Sequence, residues 1–106
     1  MTTDQPTKDD ERRFSETLRA MADQAQREVG YKPTRFRQML AQRGAFGTAH
    51  HLLGRKEISD GFTSLQIANR VDLTLECVAQ RPEWRRFFTP EELSHAHQLT
   101  GPQCCS

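Results

Sequence analysis

Residues 59–93 read SDGFTSLQIANRVDLTLECVAQRPEWRRFFTPEEL, and this stretch decides the fold. Its end carries the clearest local signal. In Phe88-Thr89-Pro90-Glu91-Glu92-Leu93, Thr89 is placed to cap a helix, Pro90 suits the first helical position, and Glu92 completes a capping box. Phe88 and Leu93 stand where a hydrophobic staple forms. Before it, Arg81-Pro82 breaks a short segment over 73–80, for which Asp72 is the expected cap. Leu73, Leu75, Cys77, Val78 and Ala79 point in nearly every direction there, so the segment belongs at the centre of a bundle. Ser59 or Asp60 is expected to cap a helix over 62–68, and 83–87 is expected to form a turn or short helix carrying Trp84.

Upstream, Phe14, Leu18, Met21, Ala22, Ala25 and Val29 recur at three- and four-residue spacing and predict a helix with one apolar stripe, ending at Gly30. Thr7, Asp9 or Asp10 can cap its start. Asp23 and Arg27 are spaced to form an i,i+4 pair. Pro33 or Thr34 opens a second helix bearing Phe36, Met39 and Leu40, stopped at Gly44. A third, over 45–53, buries Phe46, Ala49, Leu52 and Leu53. No strand alternation, internal repeat or low-complexity segment occurs. The expected fold is all-α: a compact single-domain bundle of five or six short helices over residues 8–100, with a disordered tail at 1–7 and a flexible cysteine-containing tail at 101–106.

The composition agrees. A chain of 106 residues is one domain with room for one small core. No apolar run approaches the ~18 residues needed to span a bilayer. The first residues, MTTDQPTKDDE, lack the basic start and apolar run of a signal peptide. The expected location is the cytoplasm, and no membrane partner is expected. Three cysteines, two of them adjacent at Cys104 and Cys105, do not make a disulfide framework, and Cys77 is expected to be a small core residue.

Chemistry-bearing patterns are sparse. There is no GxSxG, no GxxxxGK[ST] and no glycine-rich phosphate loop. Asp9-Asp10 and Glu91-Glu92 lie in first turns, where helix capping and the dipole explain them. His50-His51 and His95-Ala96-His97 are badly spaced for one metal ion, since neighbours on a helix diverge by about 100°. No catalytic residue, metal site or cofactor is expected.

Two surfaces are candidates for binding. No acid occurs between Glu28 and Glu57, while Lys32, Arg35, Arg37 and Arg43 do, a basic middle within a chain of net charge +1. It suits an acidic protein or the phosphates of a nucleic acid. Trp84, Arg85 and Arg86 form the second, being residue types enriched in interface hot spots.

Several motifs in fixed order carry a resemblance: Tyr31-x-Pro33-Thr34-Arg35-Phe36-x-x-Met39-Leu40, Ser59-Asp60-Gly61-Phe62-Thr63-x-Leu65, Asp72-Leu73-Thr74-Leu75-Glu76, Pro82-Glu83-Trp84 and Phe88-Thr89-x-Glu91-Glu92-Leu93. Over residues 14–96 the chain resembles a family of small, uncharacterised bacterial helical proteins that occur alone or as modules of larger proteins. It departs from that pattern at Gln66-Ile67-Ala68-Asn69 and after Ala96. The resemblance implies a helical fold and no particular activity. The expectation is a non-enzymatic adaptor with a protein partner, or else a small nucleic-acid-binding protein using the face around Arg35 and Arg37.

Overall fold

The computed structural model describes residues 5–101; Cys104 and Cys105, and the outer parts of both expected tails, lie outside them. Among the described residues five α-helices follow one another: α1 (Lys8–Val29), α2 (Thr34–Leu53), α3 (Asp60–Ile67), α4 (Leu75–Ala79) and α5 (Pro90–Thr100). A 3-10 turn over Val71–Leu73 leads into α4, and another over Arg85–Phe87 precedes α5. No strand occurs among the described residues, and the fold is an all-α single-domain bundle.

Local chemistry accounts for the helix starts. The Thr7 hydroxyl accepts from the Asp10 amide while the Asp10 carboxylate accepts from the Thr7 amide, a reciprocal capping box that opens α1. The predicted box of Thr89 and Glu92 opens α5 in the same way, with Pro90 in the first helical position. Ser59 caps α3 by accepting from the Phe62 amide.

Three local expectations are corrected. Thr74, not Asp72, caps α4: its extended backbone lets its hydroxyl accept from the Cys77 amide, and Asp72 turns outward to Arg70 instead. Asp23 pairs with Arg37 across two helices at 2.8 Å, rather than with Arg27 on its own helix. Cys77 is half-buried and disulfide-bonded, not a thiol enclosed in the core.

The second and third predicted helices run into each other as α2, with Gly44 as a kink and no loop between them. Gly44 takes φ 77°, ψ 177°, a conformation closed to side-chain-bearing residues in practice. The kink breaks the helical ladder, so the amides of Ala45 and Phe46 need outside acceptors. Glu11 of α1 supplies both, its carboxylate accepting from Ala45 at 2.6 Å and from Phe46 at 3.3 Å. This bond between helices fixes where the second half of α2 points.

That direction delivers Phe46 to the core. Phe14 of α1 is wholly buried, with its ring 4.5 Å from Phe46, 4.8 Å from Trp84 and 6.1 Å from Phe88. Leu18, Leu40, Leu53, Val78 and Ala96 are among the other members of this main cluster. A smaller cluster of Ala25, Leu65 and Leu73 ties α3 and the first 3-10 turn to α1. A groove opens beside the smaller cluster.

Candidate binding groove

Between α1, the first half of α2 and α3 lies a cavity of about 320 Å³. The apolar part of its lining comes from Met21 and Ala25 of α1, Phe36 and Met39 of α2, and Phe62 and Leu65 of α3, and polar groups make up as much of its open surface. The amphipathic stripe of α1 and the face of α2 bearing Phe36 and Met39 place these side chains there. The segment from Leu73 to Glu76 closes one side.

Glu76 is the unusual member of the lining. It is 4% exposed, in the most enclosed helix of the bundle. Among the described residues the only hydrogen-bonding group beside its carboxyl is its own backbone amide, and no cation pairs with it. Burial pushes its pKa above the ordinary carboxylate value, because the charged form has lost its water. Tyr31 stands in the same lining, its phenol raised by burial first and by the charge of Asp60 second. A Cβ at Gly61 would stand 2.7 Å from the Tyr31 hydroxyl, so the phenol lies directly against a glycine that leaves it room.

The mouth carries Arg35, Arg55, Glu57, Ile58 and Asp60. Arg55 and Glu57 pair with each other at 3.3 Å. Ile58 is 50% exposed, and Ile67, at the end of α3, is 82% exposed. These are the two large apolar side chains left open among the described residues.

The residues singled out from sequence fall in different surroundings. Lys32 and Arg43 are exposed, and Arg35 lines the groove. Arg37 is held by Asp23 and by the Gln26 side chain at 3.3 Å. Trp84 is 4% exposed and packs in the aromatic cluster, with the Arg13 guanidinium 5.7 Å from its ring. Arg86 lies 4.3 Å over the Phe87 ring and 3.9 Å from Asp10, while Arg85 is exposed. The structure thus gathers Lys32, Arg35 and Arg37 around the start of α2 and turns Trp84 inward.

Sequence reasoning missed Glu76. Its signal was present: a carboxylate in the middle of a segment apolar on nearly every side. The histidine pairs also resolve differently from a metal site. His50 donates to or accepts from Glu92 at 2.6 Å, with its ring 5.1 Å from Phe88. No group of three metal-ligating side chains comes together among the described residues. No helix among them is long and apolar enough to cross a membrane. No protein-family model, curated protein or solved structure matches the chain.

Proposed function

We propose that the protein is a non-enzymatic binding domain, an adaptor for another macromolecule, and that its partner engages the groove over Glu76. The observation that carries this is a preformed groove, part apolar and part polar, with a buried carboxyl in its lining that no cation pairs with among the described residues. Its volume lies at the lower end of the range typical of ligand sites, which join apolar walls to a few placed polar groups. Exposed Ile58 at the mouth extends the apolar surface outward, as a partner larger than the groove requires.

A nucleic-acid partner is the less favoured alternative. Of the basic residues in the middle of the chain, Arg37 is engaged by Asp23 and Arg55 by Glu57, so the cationic surface is smaller than the sequence suggests. Placing a photo-cross-linking residue at Ile58, and at exposed Glu91 as a control, in the host that encodes the protein separates these readings. The expected result is a discrete protein adduct from position 58 and none from position 91. Salt-sensitive adducts to nucleic acid, lost in Arg35→Glu plus Arg37→Glu, would support the alternative. Equal, diffuse labelling from both positions would sink the groove as the binding site.

A further inference from the structure

Resting on the binding reading above, we propose that the group this groove recognises is a lysine side chain of a partner protein, its ammonium paired with the Glu76 carboxylate and its methylene stem against Phe36, Met39 and Leu65. Two features of the groove lead there. First, the buried Glu76 carboxyl lines the groove with no cation paired to it among the described residues, so an incoming cation gains a charge-assisted bond in a low-dielectric site. A neutral group gains only apolar contact, and an anion is repelled.

Second, the remaining charges of the lining tilt the same way. It holds the acids Glu57, Asp60 and Glu76 and the bases Arg35 and Arg55. Arg55 is neutralised by Glu57, and Asp60 acts electrostatically on Tyr31. Asp60 and Glu76 therefore stand against Arg35 alone. The ammonium of lysine is a compact charge on a flexible four-carbon stem, which can lie along Phe36, Met39 and Leu65 while its head meets Glu76.

The exposed isoleucines decide between a free amine and a lysine carried on a chain. A small amine confined to the groove leaves Ile58 and Ile67 in water, whereas a segment with apolar residues flanking its lysine covers Ile58 at the mouth. The occupant is thus a lysine between apolar neighbours.

The test uses the full chain, labelled with nitrogen-15, and three probes: the capped peptide Leu-Lys-Leu, its norleucine counterpart Leu-norleucine-Leu, and free hexylamine. Titrations are followed at the amides of the groove-lining residues. The expected result is that the lysine peptide binds about tenfold tighter than the norleucine peptide to the wild type, the surplus of one enclosed charge pair over its desolvation. Glu76→Gln keeps the shape and removes the charge, so it should bring the two peptides level, while its own spectrum reports that it is folded. Ile58→Ser should weaken both peptides alike and leave hexylamine unchanged.

Norleucine binding as tightly as lysine in the wild type would overturn the ammonium assignment and leave the groove reading standing. Hexylamine binding as tightly as the lysine peptide would overturn the protein source. Silence from every probe, with a protein adduct still formed at position 58, would overturn the inference alone. Silence from every probe and no adduct would overturn the binding reading as well.

Discussion

Removing the Glu11 carboxylate should unlatch the second half of α2, and the structure gives the size of the effect. Glu11 accepts two amide hydrogen bonds at the kink, at 2.6 and 3.3 Å, in a partly buried setting. A hydrogen bond to a charged group contributes about 1.5–3 kcal/mol, and the longer one less. A carboxylate at a helix start adds roughly 0.3–1 kcal/mol through the dipole. Glu11→Ala should therefore destabilise the protein by about 2–4 kcal/mol, and Glu11→Gln, which keeps one acceptor oxygen without the charge, by about half as much. Asp9→Ala is the control. It removes an acid from the same first turn of α1 without touching α2, and should cost under about 0.5 kcal/mol. Urea unfolding followed by the fluorescence of the single, buried Trp84 measures all three. Hydrogen exchange at Ala45 and Phe46 should quicken in Glu11→Ala beyond what global destabilisation explains. A loss in Glu11→Ala no larger than in Asp9→Ala, or unchanged protection at those amides, would refute the latch.

Gly44→Ala should destabilise by about 1–3 kcal/mol in the same urea assay, because its φ of 77° with ψ of 177° excludes a side chain and the new methyl lies 3.3 Å from the Glu11 carboxylate; an unchanged midpoint would count against the kink. Phe14→Ala should cost about 3–5 kcal/mol by opening a cavity beside Phe46 and Trp84. A loss under about 1 kcal/mol would mean that the aromatic cluster is not the main core. Glu76→Gln should stabilise the protein in a pH-dependent way. The folded pKa lies above the ordinary 4.5, so below that value the carboxyl is protonated in both states and burial of the charge exacts nothing. Stability is lost as pH rises through the folded pKa, and the advantage of glutamine should grow over the same range and then level off. A pH-independent difference in urea midpoint would contradict the unpaired carboxyl.

Much of the architecture was legible because it rests on short-range chemistry. The box of Thr89 and Glu92, the stripe of α1 and the enclosed character of α4 each follow from residues within a few positions of one another. Failures came where a side chain chose a distant partner over a near one. Asp23 had Arg27 one turn away and took Arg37, since the packing of α1 on α2 brings that guanidinium within 2.8 Å. Glu11 lies in the first turn of α1, yet it caps a helix 34 residues further on. The groove was illegible for the same reason: its walls come from α1, α2, α3, the start of α4 and the segments between them, and only packing brings them together. The basic middle was visible as composition, but how much of it is already neutralised depended on acids elsewhere.

The case for Glu76 as a binding group turns on comparison with the other buried polar side chains. Among the described residues four polar ones are buried: Thr48, Thr74, Glu76 and Thr100. Thr74 caps α4 and donates to the Val71 carbonyl, while Thr100 donates to the Ala96 carbonyl and accepts from Gln80. Each of these hydroxyls has a structural task. Thr48 has none, but an unpartnered hydroxyl is neutral, and its burial costs far less than that of a carboxylate. Glu11 shows what an inward carboxylate looks like when the fold uses it, with two amides pointing at its oxygens. Glu76 has no cation and no amide but its own, and a leucine there would enlarge the core at no electrostatic cost. Architecture alone gives no reason for a carboxyl at the edge of an open groove; an incoming cation gives one.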